Sequence, residues 1–272
     1  MQQKLISVDE PAPVAAEGAD GTSPFLLIAD HAGNRVPAIL DNLGLPQAEL
    51  DRHIGIDIGI LETGRGLARA LGATLIHQPY SRLVIDCNRR PGRPDAMPEV
   101  SDGTWVPGNI GLDAAARALR EEAIFRPYHA HIDAEIQGRL ARGERVVLVA
   151  LHSFTPKHGD FLAPRPWEIG VLWNRDSRLA MPLIDLLRAE GNLTIGWNEP
   201  YGVNDEIDYA IPVHAEARGL LHVEIEIRQD QIADAAGQAA WAARLARALP
   251  KALARLEPMP DNPHMANVRG GS

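Results

Sequence analysis

A chain of 272 residues with 45% hydrophobic content can bury a substantial core, and a net charge of −9 without clustered basic and aromatic residues excludes a footprint for nucleic acid. An anionic membrane surface is excluded on the same ground, and nowhere do apolar residues run long enough to span a bilayer, so a soluble, cytoplasmic protein is expected. Cys87 is the only cysteine, which rules out an intrachain disulfide and a cysteine cage for a metal.

Residues 1–22 and 257–272 are rich in Pro, Gly and polar side chains, and are expected to be loosely held tails around one unit at 23–256. Within that unit, apolar runs of strand length occur at 25–29, 73–77, 83–86, 145–151, 169–173, 193–195 and 221–227. Helical patterns lie between or after them, at 49–71, 114–142, 177–189 and 234–256. Strands alternating with helices predict a single-domain α/β three-layer sandwich around a mixed, mostly parallel sheet, with its site beyond the carboxyl ends of the strands. Asp30-His31, Asp86 to Arg90 and His152-Ser153 all follow such runs. The Gly- and Pro-rich stretch from Pro91 to Leu112 is too long for an ordinary connection and reads as a lid over the site.

In the run from Leu221 to Arg228, strict alternation throws His222, Glu224, Glu226 and Arg228 onto one face and Leu221, Val223, Ile225 and Ile227 onto the other. A polar stripe on a core strand is costly unless it is paired or lines a cleft. His31 and His152, each at a strand end, are the candidate metal ligands, for Zn2+ or another divalent cation. Without cysteines the third ligand is expected to be a carboxylate, and Asp57 is the best placed; His53, four residues earlier on the same predicted helix, either joins the metal or bonds to Asp57. A zinc ion acidifies its water to a pKa of roughly 7, and a nearby carboxylate can carry the proton to a leaving amine. Glu226 is the candidate base, with Glu224 able to exchange roles. Arg82, Asn88 and Arg89 form an anion trap for an acidic substrate, and Ser153, His214 and Arg228 complete the candidate substrate-binding set. His129, His131 and His264 read as structural or solvated, while His77 and His158 stay undecided.

These residues resemble the N-formylglutamate amidohydrolases over about residues 24–235, through DHAGNRVP at 30–37, SRLVIDCNR at 81–89, the YHAHIDAEI helix, LHSFTP at 151–156 and EIRQD at 226–230. The resemblance implies a phosphorylase/hydrolase-like domain related to zinc carboxypeptidases and aspartoacylases. It further implies hydrolysis of the amide bond of a small acidic N-acyl amino acid such as N-formyl-L-glutamate. It suggests His31 and His152 as ligands, Asn88 and Arg89 as the pair that holds a substrate carboxylate, and Glu226-Ile227-Arg228 as similar to the carboxypeptidase Glu-Leu-Arg segment, which selects Glu226 over Glu224. Zinc carboxypeptidases carry a Glu three residues after the first His; here Asn34 stands there, so Asp57 is favoured as third ligand. A carboxypeptidase-like hydrolase of small peptides and a non-catalytic binder of acidic metabolites are the alternative readings.

Overall fold

The computed structural model describes residues 4–18, 21–157, 159 and 164–256. Its strands are β1 (Ala15–Glu17), β2 (Phe25–Ala29), β3 (Thr74–His77), β4 (Val100–Ser101), β5 (Thr104–Trp105), β6 (Val147–Phe154), β7 (Ile169–Leu172), β8 (Ile195–Trp197) and β9 (Leu221–Arg228). Its α-helices are α1 (Gln47–Leu50), α2 (Ile60–Leu71), α3 (Ala114–Arg120), α4 (Arg126–Ala141), α5 (Ala180–Arg188) and α6 (Ala235–Ala254). Seven strands form one sheet in the order β1-β3-β2-β6-β9-β7-β8, and β4 and β5 make a separate antiparallel pair. The strands β3, β2, β6 and β9 run parallel; β1 closes one edge antiparallel to β3, and β7, with β8 parallel to it, runs antiparallel to β9.

Alternation along the central strands divides the apolar interior in two. Leu27 of β2, Val149 and Leu151 of β6 and Val223, Ile225 and Ile227 of β9 enter one core, under the apolar faces of α2, α5 and α6. Leu26 and Ile28 of β2 and Leu148 and Ala150 of β6 enter the other, with Tyr128, Ile132 and Ile136 of α4. The sheet therefore lies between two helical layers. On the α4 side, the register sets His152 of β6 beside Glu226 of β9 and Ala150 beside Glu224, so both acids of β9 face the side where the apolar lining stops.

Four sequence expectations are corrected. Residues 83–86 form no strand: Val84 N donates to Ser81 O at 2.9 Å and Asp86 N to Ala96 O at 2.8 Å, and the run is apolar because Leu83, Val84 and Ile85 are buried in a turn. The helix expected over 49–71 breaks into α1 and α2, because Gly59 takes a left-handed φ of 79° and a Cβ on Gly55 would lie 2.2 Å from the Leu50 carbonyl oxygen. Asp57 thus sits in the intervening loop, not on a helical face with His53. Residues 4–18, expected to be loosely held, lie against the sheet: β1 pairs with β3, Leu5 is buried, and Tyr80 donates its hydroxyl to Pro11 O at 2.7 Å. The tail at 257–272 falls outside the described residues. The helix expected over 114–142 is continuous through a π-helical turn at Glu121–Phe125. No helix among the described residues is long and apolar enough to cross a membrane.

Arg139 ties α4 to the sheet. Fully inside the protein, it donates to Thr74 Oγ1 at 2.6 Å, to Ser23 O at 3.0 Å and to Glu135 Oε1 at 2.7 Å. Removing one member of such a buried set strands the others. Arg139→Met is expected to lower unfolding stability by about 3 kcal/mol, read as a drop in the urea midpoint at unchanged slope.

Candidate active site

Three elements deliver the central side chains. β2 ends at Ala29 and releases Asp30 and His31; β6 carries His152 near its carboxyl end; and the loop before α2 carries Asp57, fixed by Asp57 N donating to His31 O at 3.0 Å. Ser153 completes the hold, donating its backbone N–H to Asp57 Oδ2 at 3.2 Å and its hydroxyl to Ile58 O at 3.0 Å. Asp57 Oδ2 lies 3.4 Å from His31 Nδ1 and 3.0 Å from His152 Nδ1, and the two rings sit 4.9 Å apart between centroids. One ligand atom from each of His31, Asp57 and His152 lies within 4.8 Å of the others.

The far nitrogen of each imidazole also faces a carboxylate. His31 Nε2 donates to Asp86 Oδ1 at 2.7 Å. His152 Nε2 stands 3.6 Å from Asp30 Oδ2, beyond hydrogen-bond reach, while Asp30 Oδ1 accepts a 2.6 Å bond from Tyr128. Acids behind imidazoles fix ring orientation and tautomer where histidines hold a metal. Arg82 then neutralises part of this charge, donating through Nη2 to Asp86 Oδ2 at 2.6 Å and through Nη1 to Asp57 Oδ1 at 3.3 Å.

The field at this point favours positive charge. Burial works against the charged form of His152, yet Asp30, Asp57 and Glu224 outweigh it and hold the imidazole well above its usual range. Burial likewise opposes ionisation of Asp57 and Asp86, but His31 and His152 keep the Asp57 carboxyl, and Arg82 and His31 the Asp86 carboxyl, well below their usual range. Glu226 goes the other way: burial, reinforced by Asp57 and Glu224, pushes it up to about 8, and burial with Asp208 and Asp30 pushes Glu224 up to about 7. The buried atoms His31 Nδ1, Glu224 Oε2 and Glu226 Oε2 have no hydrogen-bond partner. A divalent cation fits this donor set: two imidazole nitrogens and a carboxylate converge, one nitrogen is otherwise unsatisfied, and acids surround them.

A cleft of about 360 Å³ opens over these residues, lined also by Arg82, Asn88, Arg89, Ser153, Glu224 and Glu226. Asn88 is held by its Oδ1, which accepts from Tyr209 N at 3.2 Å and Ala210 N at 3.0 Å, leaving its amide N–H groups outside that pair of bonds. Arg89 donates to Asp208 Oδ1 at 3.0 Å. The stretch expected as a lid supplies Asp95, Pro98 and Asp102 to the cleft wall, and Arg120 fastens it by donating to Asn109 Oδ1 at 2.6 Å and Gly108 O at 2.8 Å.

Several candidates are placed elsewhere. His214 does not reach the cleft; it is buried 2.9 Å from His129, with the two rings stacked. Arg228, at the end of β9, turns to Asp230 at 2.7 Å and to the carbonyls of residues 165–167. His53 meets Asp102 at 3.1 Å rather than Asp57, and Asn34 donates to Asp51 Oδ1 at 2.6 Å, away from the centre. His77 pairs with Glu17 at 3.2 Å, His131 is exposed, and His158 and His264 lie outside the described residues. Sequence reasoning missed the support given by Asp30, Asp86 and Tyr128. Asp30 and Asp86 were visible as acids beside the candidate motifs, whereas the Tyr128 contact spans 98 residues and left no local signal.

A family model described as N-formylglutamate amidohydrolase matches residues 23–233. Among solved structures, a gene product of Agrobacterium tumefaciens aligns at a TM-score of 0.89 with 40% identity, covering 94% of this chain and 100% of that one. The structure of N-formylglutamate amidohydrolase from Ralstonia eutropha JMP134 shares the fold at a TM-score of 0.65 with 22% identity, covering 90% and 98%. No curated protein matched the chain.

Burial of the stacked histidines has a measurable result. It pulls His129 down to about 4 and His214 to about 3, so between those values and the unfolded pKa of about 6.5 the unfolded chain binds the extra protons. Their contribution to stability is thus complete above pH 6.5 and is lost as the pH falls. Denaturant titrations at pH 7.5 and 5 should show His214→Leu losing about 2 kcal/mol less than wild type over that interval.

Proposed function

The chain belongs to the N-formylglutamate amidohydrolase family, and on that premise we propose that it hydrolyses the amide bond of an N-formyl or other N-acyl amino acid with the help of a divalent cation. The observation carrying this reading is the convergence of His31, Asp57 and His152 beneath a cleft that also presents a buried, unpaired Glu226. His31, Asp57 and His152 would hold the cation; zinc suits two imidazoles and a carboxylate, as do iron, manganese and nickel. When bound, it supplies Lewis-acid polarisation of the amide carbonyl and makes a neighbouring water more acidic.

The protein's own groups do the rest. Glu226 removes a proton from the attacking water and returns it to the nitrogen of the leaving amino acid, so that water and amide become a carboxylic acid and an amine. Its carboxyl, pushed up to about 8, exchanges protons near neutral pH, as a shuttle requires. Glu224, one strand step deeper on the same face, holds the second position for that role. Arg89 and the amide of Asn88 take the α-carboxylate, while Arg82 holds Asp57 and Asp86 in place. Ser153 serves as a clamp on the Asp57 loop.

The test pairs metal analysis with kinetics on N-formyl, N-acetyl and N-succinyl amino acids, with and without a chelator. His31→Ala and His152→Ala are expected to lose both metal and turnover; retention of both in the two variants would remove the assignment. Glu226→Gln should retain the metal and lower kcat by roughly 10²–10⁴-fold with a small change in KM, and Glu224→Gln should lose less.

A further inference from the structure

The carboxylate end of the cleft is assembled from two segments distant in the chain. Asn88 and Arg89 supply its donors, and residues 204–210 hold them. Asn88 Oδ1 accepts from Tyr209 N at 3.2 Å and from Ala210 N at 3.0 Å. Both partners are donors, so the oxygen must face them and the amide nitrogen must point away. The backbone N–H of Asn88 donates to Asp86 Oδ1 at 2.9 Å, the atom that also accepts from His31 Nε2 at 2.7 Å, so this end is registered against the candidate metal ligands. The two backbones meet as well: Arg90 N donates to Ile207 O at 3.2 Å, and Arg90 Nε donates to Asp205 O.

Within this clamp Asp208 is the group that reaches Arg89. It is buried, its Oδ1 accepts from Arg89 Nη1 at 3.0 Å, and that nitrogen also donates to Asn88 O at 3.1 Å. Asp95 Oδ2 stands 3.6 Å from Arg89 Nε, beyond hydrogen-bond reach. Nη2 takes no part in these contacts. The turn that carries Asp208 has closures of its own: Asp208 N donates to Asn204 O at 3.0 Å, and Asn204 Oδ1 accepts from Glu206 N at 3.1 Å and Ile207 N at 3.0 Å. Asp208 Oδ2 adds one bond to that turn, from Asn204 N at 2.9 Å, while Oδ1 is given to Arg89. A buried carboxylate is costly without a cationic partner, and here the partner is a guanidinium of the cleft wall.

Resting on the amidohydrolase reading above, we infer that Asp208 is a positioning residue: it fixes the Arg89 guanidinium so that Nη2 and the Asn88 amide meet one substrate carboxylate together. An arginine side chain has many rotamers, and holding one in advance removes that ordering cost from binding. The consequence is confined to the α-carboxylate. Loss of Asp208 weakens the hold on that group and leaves the reacting amide, His31, Asp57, His152 and Glu226 as they were.

N-formyl-L-glutamate and its α-amide, N-formyl-L-isoglutamine, differ only in that carboxylate. With the metal-loaded protein, Asp208→Ala is expected to raise KM for the glutamate compound about tenfold with little change in kcat, and to move the constants for the α-amide by less than about twofold. In an Arg89→Ala background the same substitution should raise KM no further, because its effect passes through Arg89. Should the alanine variant fail to fold, Asp208→Asn, which keeps the shape, should show the same split at about threefold. Equal losses on the two substrates, no loss on either, or effects that add to those of Arg89→Ala would overturn the inference. Turnover of no N-acyl amino acid by the unmodified protein would instead sink the amidohydrolase reading. Calorimetry with N-acetyl-L-glutamate and its α-amide then decides: binding of the acid that weakens in Asp208→Ala while binding of the amide does not sustains the inference, and any other result ends it.

Discussion

The structure is organised around one buried carboxylate. Asp57 lies between two imidazoles and a guanidinium, almost without solvent, and an ion in that position is tolerable only because each oxygen is met by positive or donating groups. Those groups come from the end of β2, the end of β6 and the turn that begins at Ser81, so satisfying Asp57 fixes three segments relative to one another. The loop that carries it is shaped to the same end: Gly55 and Gly59 give the backbone close approach and left-handed geometry that a helix at this place would deny.

From that anchor the distribution of charge follows. Arg82 offsets Asp57 and Asp86, yet Asp30, Glu224 and Glu226 add negative potential on the same side of the sheet. A cation bound among His31, Asp57 and His152 would relieve this imbalance, and its field would reach Glu226 through the neighbouring strand, since β6 and β9 pair His152 with Glu226. Stability and reactivity are thus coupled: the acids that are costly to bury around His31, Asp57 and His152 are the ones that would make a bound ion tight.

Much of this was legible in the sequence, for reasons that differ between residues. The alternation from Leu221 to Arg228 is short-range and survives in the fold, which puts Val223, Ile225 and Ile227 in the core and Glu224 and Glu226 on the cleft side. His31 and His152 were legible because strand ends in a parallel sheet share one rim. Asp57 was found by chemistry rather than by geometry; the apolar spacing from 49 to 71 mimics one continuous helix, and only the close contacts of Gly55 and Gly59 show why it is interrupted between α1 and α2. Leu83, Val84 and Ile85 misled in the same way, since a wholly buried turn has the composition of a strand. Arg228 shares its strand face with Glu226 but sits one residue pair too far out, where carbonyls of the preceding loop capture it. His214 and Tyr128 depend on contacts across more than 80 residues, for which a single sequence holds no periodic trace.

The three-residue strand β1 has a role out of proportion to its length. It covers the open backbone of β3, whose residues Thr74–His77 are all buried, and Arg65 holds it by a 2.7 Å ion pair to Glu17. A proteolytic nick or a bulky fusion that pulled β1 away would bare an apolar strand rim with unsatisfied amide and carbonyl groups. Molecules so stripped would recruit replacement strands from one another, and their loss to self-association would precede any damage to the cleft on the far side of β2.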